Sequence, residues 1–345
     1  MKPRVALGAI ALLVSAGVLF HARGPVAQAQ GSQTFRASTE RVRIDALVTR
    51  NGLAVGGLHA SDFEVLDNGA PQAIELAGGD EALSVGVALD TSGSVIGGRL
   101  EHLVAATQEL FRLLTPHDRA FLLRFSTNLA IDSDVAHDPF RLGQILGAAQ
   151  AAGSTSLWDA VATGLAHLTG SGRSLLLLLT DGYGNSNYLD AGRVTALASR
   201  SDVVVETILV FRDPETSFPP SSSAADVLRA IDAEAKRQTE ADVKSIMDRT
   251  QGQGRVQITL NADALHRTLE PLVTLACRSG GSVMSAGNGP ALAQQFATIL
   301  SSFRARYVLS FEPAGTRDGA WHDLKVSVRG RDLKVSARAG YFSSR

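Results

Sequence analysis

Residues 84–100 read SVGVALDTSGSVIGGRL: an apolar run that ends at Asp90, then three hydroxyl side chains, Thr91, Ser92 and Ser94, within four positions. Apolar residues on successive positions mark a strand covered on both faces, because alternate side chains point to opposite sides and neither side is polar. Working outward, the same character recurs in ALSVGVALD (82–90), RAFLLRFS (119–126), RSLLLLLTD (173–181) and DVVVETILVF (202–211). Between them, RLEHLVAATQELFRLL (99–114), PFRLGQILGAAQAA (139–152) and LWDAVATGLAHL (157–168) have helical spacing, with Leu103, Ala106, Leu110 and Leu114 forming a core stripe in the first. Strands alternating with helices predict a doubly wound α/β domain over 82–305, a mostly parallel sheet with helices on both faces and right-handed crossovers.

Both flanks change period. In RVRIDALVTR (41–50), Val42, Ile44, Ala46 and Val48 alternate with Arg41, Arg43 and Asp45, and Asn-Gly pairs at 51–52 and 68–69 supply turns. A small β element over 34–79 follows. In the tail, 306–345, DLKVS occurs twice around Gly330, with Leu324, Val326 and Val328 facing one way and Lys325, Ser327 and Arg329 the other. That pattern predicts a hairpin with one face buried, with Trp321 in its core and the two chain ends packed together. Within the central domain, 213–254 reads as a Pro- and Ser-rich loop, then a charged helical stretch with the alternation of a solvated face.

The 345 residues carry a formal net charge of -1 and are 45% hydrophobic. There is no basic footprint for nucleic acid or an anionic membrane surface. Residues 1–29 have Lys2 and Arg4, an apolar stretch from Val5 to Phe20, and Ala27-Gln28-Ala29. This is the pattern of a cleaved secretory signal peptide, the alternative being a retained anchor, since the apolar stretch is short for a bilayer span. The expectation is an exported protein, periplasmic, secreted or at the cell surface, with no stable membrane span after cleavage. The lone Cys277 can form no internal disulfide and reads as a buried, inert thiol.

In an open α/β sheet the functional crevice lies beyond the carboxyl ends of the strands. Asp90, Ser92 and Ser94 follow the first core strand, Asp181 ends the strand LLLLLTD, and GSTSLWDA presents Thr155 at the start of a helix. Two carboxylates and three hydroxyls are hard oxygen donors, a set suited to Mg2+ or Mn2+. Any one of them alone is as well explained by helix capping.

DTSGS (90–94), Thr155 and TDG (180–182) together resemble the metal-ion-dependent adhesion site of von Willebrand factor type A domains, whose pattern is D-x-S-x-S, then a threonine, then an aspartate. The flanks, RVRIDALVTRNGLAVGGLHASDFEVLDNGAPQAI and FATILSSFRARYVLSFEP…DLKVSARAGYF, resemble the bacterial subgroup described as von Willebrand factor A-related, acidobacterial type. The resemblance covers most of 34–343. It implies direct ligation by Ser92, Ser94 and Thr155, water-mediated ligation by Asp90 and Asp181, and metal-dependent adhesion to a protein or peptide whose Asp or Glu completes the coordination shell. It also implies a ligand-linked shift of the last helix, 289–305. The chain departs from the family in reading Gly153-Ser154 where a double glycine is common, and in the length of 213–254, which against the family is an insertion that could serve as a lid or a partner surface or have no such role.

Two other classes of function fit parts of the same sequence. A structural module of an envelope assembly would use the same fold without metal. A phosphoryl-transfer enzyme or hydrolase would use Asp90 or a serine as nucleophile. Against catalysis, Ser92 stands where aspartyl-phosphate chemistry wants a second acid, no G-x-S-x-G surrounds Ser92 or Ser94, and no H-E-x-x-H is present. Trp158 and Tyr183 lie where they would rim a ligand pocket or simply pack.

Overall fold

The computed structural model describes residues 41–77, 81–133, 137–182, 184–211, 218–249, 262–286, 289–313 and 318–343. The signal segment expected at 1–29 lies outside the described residues, as do Tyr183 and the ends of the 213–254 insertion. The chain begins with β1 (Val42–Arg50), β2 (Leu53–Ala54), β3 (Phe63–Asp67), β4 (Ala70–Gln72) and β5 (Glu75–Ala77). Strands and helices then alternate through β6 (Leu83–Asp90), α1 (Gly98–Arg112), β7 (Arg119–Phe125), β8 (Leu129–Asp132), α2 (Pro139–Gly147), α3 (Leu157–Leu168), β9 (Arg173–Thr180) and α4 (Ala191–Ala198). They continue with β10 (Val204–Val210), α5 (Ala224–Arg249), α6 (Ala262–Arg278), β11 (Val283–Ala286) and α7 (Gly289–Arg304). The tail holds β12 (Tyr307–Phe311), β13 (Trp321–Val328), β14 (Leu333–Ser336) and β15 (Gly340–Phe342).

The central sheet has the order β11-β10-β9-β6-β7-β8, parallel throughout except for the edge strand β8, which returns antiparallel to β7. Every residue of β6 and β9 is buried. The leucine run of β9 divides by the two-residue period of a strand: Leu175, Leu177 and Leu179 join a core with residues of α1, α2 and α7, while Leu176 and Leu178 face α3, α4, α5 and α6. The fold is therefore the doubly wound α/β sandwich expected from the sequence. The described part of the insertion is more than a solvated helix, because Val227 and Ile231 of α5 are buried in the same core as Leu269 and Val273 of α6.

The two flanking segments build their sheets jointly. β14-β1-β12-β5, with β2 on β1, forms one sheet, and β15-β13-β3-β4 forms another. Both Asn-Gly pairs close two-residue hairpins, with φ of 51° and 81° at Asn51 and Gly52 and of 48° and 84° at Asn68 and Gly69. Positive φ at both central positions is the type I′ turn that matches strand twist.

The expected DLKVS hairpin is not formed. β13 pairs with β3 and β15, whereas β14 pairs with β1. Each copy pairs with an N-terminal strand that offers apolar side chains in register: Val326 lies opposite Val65, and Val335 opposite Val48. Trp321 is half-buried at the edge of this region, with its indole under the Arg278 guanidinium.

Asp45 also departs from its expected outward position. It is buried, with Oδ1 accepting from Arg173 Nε at 3.2 Å. Arg173 reaches on to the Phe303 carbonyl at 2.6 Å, and Arg306 donates to the Gly280 carbonyl at 2.8 Å and to Glu206 Oε1 at 3.0 Å. Glu206 Oε2 in turn accepts from the Ser282 backbone N–H at 2.8 Å and its hydroxyl at 2.5 Å. These pairs join β1 and the end of α7 to the amino-terminal half of the central sheet, away from the carboxyl edge where DTSGS lies.

Candidate metal centre

In the central sheet, the connection from β6 leads to α1 on one face and the connection from β9 leads to α4 on the other. The two strands are neighbours, so the crevice of the switch point opens between their carboxyl ends. Asp90 ends β6 and Asp181 directly follows β9, which places both carboxylates at this one position in the fold.

Asp90 is fully buried. Its Oδ1 accepts from the Ser92 backbone N–H at 2.9 Å and its Oδ2 from the Thr180 hydroxyl at 2.7 Å. Burial pushes the Asp90 carboxyl up to about 6 against the opposing pull of those hydrogen bonds, and the nearby negative charge of Asp181 adds to the rise. Thr180 is itself held, since its oxygen accepts from the Gly182 N–H at 3.0 Å.

The hydroxyls of Ser92 and Ser94 stand 3.0 Å apart. Ser92 is buried and Ser94 is exposed, so the pair runs from the floor of the crevice to its mouth. Adjacent oxygens of an octahedron with Mg–O bonds of about 2.0 to 2.1 Å are separated by roughly 2.8 to 3.0 Å. The two hydroxyls thus already have the spacing of neighbouring ligands on such an ion.

Thr155 arrives on a loop stitched to the first. Gly93 N–H donates to the Gly153 carbonyl at 3.0 Å, Ala152 N–H to the Thr91 carbonyl at 3.0 Å, and Thr91 N–H to the Phe125 carbonyl at 2.8 Å. Gly153 has φ of 81°, and a Cβ there would lie 2.5 Å from Thr127 Oγ1, so the single glycine of this element is required on both counts. Thr155 N–H donates to Asn185 Oδ1 at 2.8 Å, and its carbonyl accepts from the N–H groups of Asn185 and Ser186 at 3.0 and 3.1 Å. The residue is 2% exposed, and among the described residues its hydroxyl has no hydrogen-bond partner.

All five candidate residues therefore lie on three connected loops at the switch point. Among the described residues no group of three or more His, Cys, Asp or Glu is arranged to hold a metal ion. A cation held in this part of the chain must take hydroxyl oxygens, which suits a hard divalent ion, and the donor set fits one. Sequence reasoning missed the supporting residues Thr180, Thr127 and Asn185. Thr180 was legible only as the neighbour of Asp181, and Asn185 only as one polar residue in GYGNSNY (182–188). Trp158 is 8% exposed and belongs to the core rather than the rim.

The architecture and its switch-point loops define a doubly wound, Rossmann-like α/β protein. No family model matches the chain, and no curated protein matches it. Solved structures similar to it include a von Willebrand factor type A protein from Catenulispora acidiphila, at 11% identity over 90% of this chain and 65% of that one, with a TM-score of 0.44. BatB from Bacteroides thetaiotaomicron is similar at 16% identity over 64% of this chain and 98% of that one, TM-score 0.40. Manganese-loaded TRAP protein from Plasmodium vivax is similar at 14% identity over 78% and 97%, TM-score 0.38.

Proposed function

We propose that the chain is a divalent-cation-dependent binding module, not an enzyme. Asp90, Ser92, Ser94, Thr155 and Asp181 hold Mg2+ or Mn2+, and an Asp or Glu of a protein or peptide partner completes the shell. The observation that carries this is the 3.0 Å approach of the Ser92 and Ser94 hydroxyls beside a buried carboxylate at the switch point. Neutral hydroxyls leave the ion electron-poor, which favours a further anionic ligand from outside. Against catalysis, the two serine hydroxyls bond to each other rather than to a histidine base. The segment 1–29 supports an adhesion-type role outside the cytoplasm, at the envelope or beyond it.

A structural module without metal is the second reading. It is favoured by the way Asp90 is already satisfied by Ser92 and Thr180. Anomalous diffraction from crystals soaked in Mn2+ separates the two. A peak within bonding distance of the Ser92, Ser94 and Thr155 oxygens is expected, and a featureless map at full Mn2+ saturation sinks the binding-module reading.

A further inference from the structure

Three side chains on or beside the loops that carry the candidate ligands stand outside the ligand set: Ile96, Arg99 and Tyr188. Arg99 lies in the first turn of α1 and folds back to donate from Nη2 to the Ser94 carbonyl, on the loop that carries two of the candidate ligands. Among the described residues no carboxylate pairs with it. A guanidinium has five N–H donors in a planar fork suited to a carboxylate, so most of this fork is uncommitted. With Asp90 and Asp181 balancing the charge of a bound divalent ion, the Arg99 guanidinium would remain as uncompensated positive charge beside Ser94.

Ile96 and Tyr188 are 67% and 94% exposed. Single exposed apolar residues need no explanation, but these two stand on the loops that build the site. Ile96 is two residues past Ser94, within about 7 Å of it by chain reach, and Tyr188 three past Asn185, within about 11 Å. The Tyr188 backbone is fixed: its N–H and that of Leu189 donate to Asp159 at 2.9 and 2.8 Å, and Asn187 Oδ1 accepts from Trp158 N–H at 2.7 Å. A tyrosine on an ordered backbone brings large contact area for little entropy, which is why such residues anchor interfaces.

We propose that the partner's carboxylate is shared between the ion and Arg99, and that the acidic residue bearing it is flanked by bulky apolar side chains that pack on Ile96 and Tyr188. The recognised segment is an exposed peptide of the form apolar-acidic-apolar. This rests on the cation-binding reading of the site.

The test uses the full chain with Mn2+ and three fluorescent peptides: Glu between two leucines, Gln between two leucines, and Glu between two serines. Mn2+ occupancy is read separately by water-proton relaxation. Binding of the Leu-Glu-Leu peptide, its loss with EDTA or with Gln, and a Kd about fivefold weaker for the serine-flanked peptide are expected. Arg99→Gln is expected to weaken the Leu-Glu-Leu peptide about tenfold at saturating Mn2+, with partial recovery in Arg99→Lys. Ile96→Ser combined with Tyr188→Ser should erase the preference for leucine over serine. The proposal is overturned if Arg99→Gln has no effect, if both Glu peptides bind equally, or if no peptide binds while Mn2+ does. Absence of Mn2+ binding overturns the cation-site reading along with it.

Discussion

Asp45 on β1 and Arg173 at the start of β9 are 128 residues apart in the chain and meet at 3.2 Å with both side chains buried. The pair ties the flanking sheet to the central one through an ionic contact shielded from water. Asp45→Ala leaves a guanidinium buried without its carboxylate and is expected to cost about 3 to 5 kcal/mol. Urea unfolding measures it. The double variant Asp45→Leu with Arg173→Met should be less destabilised than the sum of the single variants, because the stranded charge is gone.

Asp118 gives a pH dependence. Burial alone would raise its carboxyl, but the Arg304 guanidinium and the N–H groups of Leu83 and Thr115 outweigh that and hold it down to about 2. A carboxyl lowered in the folded state stabilises fully above its ordinary range near pH 4 and loses that contribution as pH falls through about 2. Its share at neutral pH is about 2 kcal/mol. Asp118→Asn should lower stability at pH 7 by that order, and the gap to wild type should close as both are unfolded in urea toward pH 2.

The end of α7 is anchored. Arg173 holds the Phe303 carbonyl, Arg304 pairs with Asp118 at 2.5 Å, and β12 starts at Tyr307 between β1 and β5. Phe303 and Arg304 lie within 289–305, the segment whose ligand-linked shift the family resemblance implies, and these contacts oppose such a shift. With Mg2+ present, hydrogen exchange of 298–304 is expected to be the same with and without the Leu-Glu-Leu peptide. Marked deprotection on adding the peptide would show that the anchor gives way.

Asn185 orients Thr155 by accepting its N–H while donating its own N–H to the Thr155 carbonyl. Loss of a residue that orients a ligand typically lowers metal affinity about 10- to 100-fold. Asn185→Ala should do so with near-native circular dichroism, read by Mn2+ titration.

How far the sequence reached follows from which patterns are local. The leucines of β9 announced a strand covered on both faces, and the DTSGS, Thr155 and TDG elements were recognisable because each sits at the end or start of one element. The pairing of β13 with β3 and of β14 with β1 was not legible, since the two DLKVS copies look equally suited to each other. Choice among strand partners is decided by packing across the whole fold. Asp45 was misplaced for a related reason: alternation along β1 says which face a side chain takes, not that Arg173 and Arg306 wait on it. Thr180 and Asn185 escaped notice because their partners, Asp90 and Thr155, are 90 and 30 residues away.

Two serine hydroxyls, one threonine hydroxyl and two carboxylates are proposed to hold a divalent ion. Titration calorimetry of Mg2+ into the full chain, beside the Ser92→Ala, Ser94→Ala double variant, tests it most directly. One saturable site is expected in the wild type, with a loss of about two orders of magnitude or more in the variant and unfolding behaviour retained. Equal Mg2+ affinity in the two proteins, or no binding in the wild type, would contradict it.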